Sequence, residues 1–86
     1  MAIITMFSVR DAAANMYNRP MYLATAALAR RSFQDEANRQ DPNNEIYKHP
    51  EDFELYELGF YEEETATFEL HPQPKLIVRA KDLRDQ

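Results

Sequence analysis

Only one segment of this chain has the periodicity of a helix, and strand-like patterns lie on both sides of it. Small and aromatic apolar residues recur there at three- and four-residue steps, which places them on one helical stripe: Ala26, Ala29, Phe33 and Ala37. Thr25 is a good N-cap residue, and the Asp-Pro-Asn-Asn run at 41–44 stops the pattern. The sequence therefore predicts one helix over residues 25–39.

The strand-like segments alternate apolar and polar residues. Residues 3–9 are β-branched and aromatic on both faces, which predicts a central first strand. Residues 53–61 and 65–70 predict a hairpin with Glu62, Glu63 and Glu64 at its tip, and Gly59 predicts a bulge or a close backbone approach. We expect an α+β fold, with a small antiparallel β-sheet and one principal α-helix packed on one face.

The end of the chain carries further breaks. The His-Pro-Gln-Pro run at 71–74 is expected to end the preceding strand, residues 76–78 predict a final strand, and residues 81–86 are a charged tail. We therefore predict a single domain over residues 1–80. The stripe around Phe33 is expected to cover Phe7, Leu55 and Phe68 or their neighbours.

The length and the absence of cysteine restrict how the fold is stabilised. A chain of 86 residues forms one domain, and a domain of this size buries only about 60–65% of the surface of its unfolded chain. Without cysteine it has neither disulfides nor thiolate metal sites, as is usual in a reducing cytosol. Self-association is the remaining supplement to so small a core, and we expect a homodimer or higher oligomer.

Targeting signals are not evident. The first nine residues lack a basic leader and a cleavage site, and no stretch approaches the roughly 20 apolar residues of a membrane span. We therefore expect a cytoplasmic protein without a membrane partner.

The net charge of −5 is unevenly distributed along the chain. Residues 44–72 carry one lysine against nine acidic residues, whereas residues 1–43 and 73–86 are each slightly basic. This distribution excludes a uniformly basic nucleic-acid-binding surface but leaves room for a local basic face.

No motif predicts catalysis, a metal ion or a cofactor. His49 and His71 are far apart and each precedes a proline, whereas a zinc site needs three or four ligands. The run from His49 to Asp52 is better explained as a turn that leads into the strand from Phe53. One glycine cannot build a phosphate loop or a dinucleotide-binding motif.

Two sets of residues are candidates for binding. Cations on the helix and near the C-terminus, with one aromatic residue able to stack on unpaired bases, form the candidate DNA-binding set: Arg30, Arg31, Arg39, Tyr22, Lys75, Arg79 and Lys81. The candidate partner-binding set is Glu62, Glu63 and Glu64, which alternatively form a solvated hairpin tip that discourages aggregation. Composition alone favours ordinary solvated charges for the cations as well.

Two stretches resemble a known viral family. The run from Asp41 to Asn44, then Tyr47-Lys48-His49-Pro50-Glu51-Asp52-Phe53-Glu54-Leu55-Tyr56, is similar to the small non-structural protein of gokushovirus-type microviruses, which are phages with single-stranded DNA genomes. The similarity extends over roughly residues 3–70. It implies a DNA-binding protein of the bacterial host cytoplasm that acts in the switch to single-strand synthesis and packaging.

Three hypotheses follow. The leading one is a non-enzymatic phage accessory protein that binds single-stranded DNA during viral DNA replication or packaging. The second is a protein-interaction module that docks its acidic hairpin on a replication or capsid protein. The third, a small hydrolase, rests only on the presence of acids and histidines.

Overall fold

The sheet is built around its first strand. The computed structural model describes residues 2–84 and has an α+β fold in which all strand pairs are antiparallel. The strands are β1 (Ile3–Asp11), β2 (Met16–Tyr17), β3 (Met21–Leu23), β4 (Phe53–Glu62) and β5 (Thr67–Arg79). Strand β1 pairs with β2 and β3 on one side and with β4 on the other, and β5 pairs with β4 at the far edge. The predicted central position of the first strand is confirmed.

The segment between β1 and β3 is held by one side chain. Asn18 Oδ1 accepts hydrogen bonds from the Val9 backbone N–H at 2.8 Å and from Ser8 Oγ at 2.9 Å. Ser8 is almost fully covered, and its Oγ also lies 2.9 Å from the Asn18 carbonyl oxygen, so this buried hydroxyl finds its partners within one residue. This contact fixes the short β2 strand and the break at Pro20 against the centre of the sheet.

The principal helix, α1 (Ala26–Asn38), begins and ends within one residue of the prediction. Thr25 Oγ1 accepts from the Leu28 N–H at 3.2 Å, which satisfies one of the free donors of the first turn. The face of α1 that packs on the sheet carries Ala29, Phe33 and Ala37, all buried. The helical stripe is therefore confirmed, and small residues on it let the helix approach the sheet closely.

Asn44 organises the connection that follows. Its side-chain oxygen caps the short helix α2 (Glu45–Lys48), while its amide nitrogen donates to the Glu36 and Arg39 carbonyls at 2.8 and 2.9 Å. A single 3₁₀ turn, Pro50–Asp52, then leads directly into β4. The prediction of a turn launching the strand from Phe53 is confirmed.

Gly59 lies where the regular pairing of β4 with its neighbouring strands is interrupted. The pairing of β4 with each of its neighbours, β1 and β5, shifts register between Glu57 and Gly59, and the φ of Gly59, 154°, lies in a region that side chains rarely adopt. A Cβ atom on Gly59 would lie 2.8 Å from the Leu70 Cα. Both parts of the sequence prediction, a bulge and a close backbone approach, are confirmed.

The His-Pro-Gln-Pro run does not end a strand, so that prediction is wrong. Strand β5 continues through residues 71–74 and is 13 residues long. Proline is tolerated there because β5 is an edge strand, where an N–H on the outer side needs no partner. His71 Nε2 lies 2.6 Å from Glu57 Oε2, which fastens this irregular stretch to β4.

The hydrophobic core lies between α1 and one face of the sheet. Its buried members are Phe7, Val9, Ala29, Phe33, Ala37, Leu55, Val78, Ala80 and Leu83. The expectation that the Phe33 stripe also covers Phe68 is wrong, because Phe68 lies on the opposite face and is 56% exposed. The predicted domain boundary at residue 80 falls just before Leu83, which is buried in this core.

None of the helices in the described part of the chain packs on the opposite face of the sheet, and we call it the open face. It is the face of Ile4, Met6, Ser8 and Arg10 in β1. Within residues 2–84, no helix combines the length and apolar character of a bilayer span.

Candidate functional site

Residues of neighbouring strands form rows across the open face, because directly paired residues share a face. The row that we call the charged row is Tyr17, Arg10, Glu54 and Arg79, contributed by β2, β1, β4 and β5 in that order. The next row holds Ser8, Tyr56 and Leu76, followed by one with Tyr22, Met6, Gly59 and Leu70. The last row, near the hairpin tip, is Ile4, Tyr61 and Phe68.

In the charged row one carboxylate accepts hydrogen bonds from two guanidinium groups. Glu54 Oε1 accepts from Arg10 Nη1 at 3.2 Å, and Glu54 Oε2 accepts from Arg79 Nε at 3.2 Å. The Tyr56 hydroxyl also donates to Glu54 Oε1, at 3.1 Å. Two positive groups against one negative group leave the row with a net charge of about +1.

These contacts change the acid–base properties of the row. Burial acts to raise the pKa of Glu54, but the hydrogen bonds from Arg79, Tyr56 and Arg10 outweigh it and hold that pKa below its ordinary value. The hydrogen bond to Glu54 raises the pKa of Arg10, while burial raises the pKa of Tyr56. Glu54 and Arg10 are therefore ionised at neutral pH, and Tyr56, in the neighbouring row, stays protonated.

The two arginines differ in how many donors they retain. Arg10 also donates from Nη2 to Asn15 Oδ1 at 2.6 Å, so both of its terminal nitrogens are engaged. Arg79 uses only Nε, and its terminal nitrogens donate to no other residue in the described chain. With its side chain 46% exposed, Arg79 presents a free guanidinium edge to solvent.

Aromatic side chains cover much of the rest of the open face. Tyr17 and Tyr56 meet edge to face with ring centroids 5.5 Å apart. Tyr61 contacts both Tyr22 and Phe68, at 6.2 and 4.8 Å. Tyr17, Tyr22 and Phe68 are 44%, 48% and 56% exposed, so each offers ring surface to a ligand.

The hairpin end of the molecule is acidic. Glu62 is half-buried, and its Oε1 accepts from the Ala2 and Glu64 N–H groups at 3.3 and 3.0 Å. Glu63 and Glu64 are exposed in the turn between β4 and β5. Of the three predicted partner-binding residues, Glu62 thus has a structural role in the turn and the other two face solvent.

The predicted DNA-binding residues do not form one surface. Tyr22 and Arg79 lie on the open face, whereas Lys75 is paired with Glu57 on the helix-covered side. Arg30 and Arg31 are exposed on the outer surface of α1, and neither has an ion pair within residues 2–84. Arg39 is held between Glu36 Oε1 at 2.6 Å and Asp41 Oδ2 at 2.9 Å, and Lys81 is exposed in the 3₁₀ turn after β5.

Sequence reasoning did not select Arg10, Tyr56 or Tyr61 as site residues. The two-residue alternation of β1 already places Arg10 on the same side as Ile4 and Met6. The pairing of Arg10 with Glu54 and Tyr17 depends on strand register, which alternation alone does not provide. Knowledge of the register was therefore the missing signal.

One group of side chains has the composition of a cation site. Single ligand atoms of His49, Glu51 and Asp52 lie within 4.8 Å of one another. Their proximity follows from the 3₁₀ turn that contains them, and His49 also lies 3.7 Å from Glu45. Glu51 and His49 are exposed, so water competes for any ion bound there.

Comparison with known proteins identifies a family but no individual relative. A family model described as Phage ORF5 protein matches residues 4–83, from the first strand to the buried Leu83. No curated protein and no solved structure matches the chain. The match covers nearly all of the described fold, including every row of the open face, and the chain therefore belongs to the Phage ORF5 protein family and is a bacteriophage protein.

Proposed function

We propose that this phage protein binds single-stranded DNA on the open face of its sheet, without catalytic turnover, during viral DNA replication or packaging in the host cytoplasm. The observation that carries the proposal is the set of exposed rings on a face without a helix, with Tyr17, Tyr22 and Phe68 accessible from one side. Aromatic platforms on open sheets bind unpaired bases by stacking, at about 1–3 kcal/mol per base.

The geometry also favours single strands over a duplex. A stacking platform needs the faces of bases, which a duplex hides inside its own stack. The charged row supplies only about one positive charge, and the acidic hairpin end repels phosphates, so a purely electrostatic contact with a duplex is weak. Stacking is therefore expected to contribute most of the affinity.

Fluorescence anisotropy of a labelled 12-nucleotide oligothymidine tests the proposal. Tyr22→Ala is expected to weaken binding about 5- to 150-fold, because one stacking contact is lost. Leu28→Ala is the matched control, since Leu28 is equally exposed, at 49% against 48%, but lies on α1. Absence of measurable binding by the unaltered protein at about 50 mM salt and tens of micromolar protein would overturn the proposal.

A second candidate function uses the hairpin end. Residues 58–70 contain four glutamates and no basic residue, and they expose Phe68 and Leu70 beside those acids. An exposed apolar patch beside acidic residues is complementary to a basic segment of a replication or capsid protein. Neutralising Glu63 and Glu64 to glutamine is expected to weaken capture of such a phage protein after nuclease treatment, whereas Asp35→Asn on the helix serves as the control.

Self-association remains part of the proposal. A dimer or higher oligomer supplements a core of this size and brings two open faces into one complex. Size-exclusion chromatography with light scattering, with and without the oligonucleotide, measures both the oligomeric state and complex formation.

A further inference from the structure

The charged row places two arginines, Arg10 and Arg79, on the open face of the sheet. Arg10 and Arg79 flank Glu54 on adjacent strands, and neighbouring strands are about 4.8 Å apart. Tyr17 adjoins Arg10 in the same row, and Tyr56 donates to the same carboxylate. Guanidinium groups and exposed aromatic rings therefore occur side by side at this end of the open face.

Glu54 orients the two arginines, but its single negative charge does not neutralise both of their positive charges. It accepts from Arg79 through Nε alone, so the donors of both terminal nitrogens are not used in this ion pair. A guanidinium presents its donors in a planar fork that matches two oxygens of a phosphate, a geometry that lysine cannot supply. The carboxylate reduces the rotational freedom of that fork, so less entropy is lost when an anion binds.

The acidic hairpin restricts where a phosphate can lie. Glu63 and Glu64 are exposed in the turn at the far end of the open face, and Glu63 lines the same surface depression as Tyr61 and Phe68. From Glu54 to Glu62, β4 rises by eight residue steps, or roughly 26 Å, so the two ends are about three Debye lengths apart at physiological salt. The phosphates of a single DNA strand lying along the open face are thus repelled at the acidic end and attracted at the charged row.

We infer that Arg79, with Arg10 on the other side of Glu54, binds a backbone phosphate of single-stranded nucleic acid whose adjoining base stacks on the Tyr17–Tyr56 pair. This inference rests on the proposed function and assigns its phosphate contact. The remaining stacking positions, Tyr22 and Phe68, then receive bases farther along the strand, with their phosphates directed away from the acidic tip.

Arg79→Gln, compared with Arg30→Gln, tests the assignment. Both substitutions remove one exposed cation, but Arg30 lies on the outer surface of α1 and has no ion pair in the described chain. Affinity for the labelled 12-nucleotide oligothymidine is measured from about 25 to 200 mM salt, and thermal unfolding checks that each variant is folded. Arg79→Lys, which keeps the charge but loses the fork, is measured in parallel.

Loss of one phosphate contact lowers the salt slope of log K by about 0.7, which is about an eightfold loss of affinity at 50 mM salt. We expect this for Arg79→Gln and no change in slope for Arg30→Gln, while Arg79→Lys keeps the slope and loses affinity. Equal slopes for Arg79→Gln and the unaltered protein would overturn the phosphate assignment while leaving DNA binding intact. Failure of the unaltered protein to bind would overturn both proposals.

Discussion

Phe33 and Phe68 lie on opposite faces of the same sheet. Phe33 is 4% exposed and packs in the core between α1 and the sheet, whereas Phe68 is 56% exposed and contacts Tyr61 on the open face. The same residue type therefore serves stability in one position and is available for binding in the other.

This difference predicts that replacing phenylalanine with alanine lowers the stability of the fold by unequal amounts at the two positions. Phe33→Ala is expected to cost about 3–5 kcal/mol, because it removes buried surface and leaves a cavity. Phe68→Ala is expected to cost less than about 1 kcal/mol, since it loses mainly one ring contact. Urea unfolding measures both, and a large loss of stability in Phe68→Ala would show that this ring is part of a core.

Gly59 is predicted to tolerate no side chain. Gly59→Ala forces a Cβ against the Leu70 backbone and requires a φ that only glycine adopts readily. We expect a loss of about 2–4 kcal/mol from strain and overpacking together. Ala66, in the hairpin turn, carries a side chain although its φ of 56° is one that glycine adopts more readily, so replacing it with glycine is the converse test.

Ala66→Gly is expected to change stability by less than about 1 kcal/mol. Relief of left-handed strain, worth about 1–2 kcal/mol, is offset by the greater entropy of glycine in the unfolded chain. Thermal unfolding of the two variants side by side checks the argument. A similar effect of both substitutions would contradict the strained conformation at Gly59.

Stability is predicted to fall on acidification in part through Glu54. Its pKa in the folded protein lies below the ordinary value of 4.5, so its carboxylate stabilises the fold above that pH and the contribution is lost as the pH falls through the lowered pKa. Asp41 acts in the same direction, because the Asn43 N–H and Arg39 lower its pKa from 3.8. Urea midpoints at about pH 6, 4.5 and 3.5 measure the decline.

Glu54→Gln is expected to flatten this decline, whereas Glu51→Gln, which alters an exposed acid in the 3₁₀ turn, serves as the control. An unchanged pH profile in Glu54→Gln would mean that the charged row contributes nothing to acid stability.

Arg30 and Arg31 discriminate between two possible binding surfaces. They lie on the outside of α1, and the helix and sheet layers are about 10 Å apart, so their charges are screened at the open face. Arg30→Gln combined with Arg31→Gln is therefore expected to change oligonucleotide affinity less than about twofold at physiological salt. A loss of tenfold or more would place the DNA on the helix instead.

The elements of this fold were predictable because local signals agree with the tertiary structure. The cap at Thr25 and the stripe around Phe33 follow from helix geometry, and the helix ends at Asn38, just before the Asp-Pro-Asn-Asn run at 41–44 that was expected to stop it. The strand through residues 71–74 was not predictable, because only its position at the sheet edge allows its prolines. The rows of the open face were not predictable either, since they depend on a register that includes the bulge at Gly59.

Mapping of the bound oligonucleotide by NMR tests the central claim most directly. Amide and arginine Nε resonances of the unaltered protein are followed as a 12-nucleotide oligothymidine is added. The open-face account predicts perturbation around Tyr17, Tyr22, Phe68 and Arg79, with little change at Arg30 and Arg31. Perturbation confined to the outer surface of α1, or none at all, would contradict it.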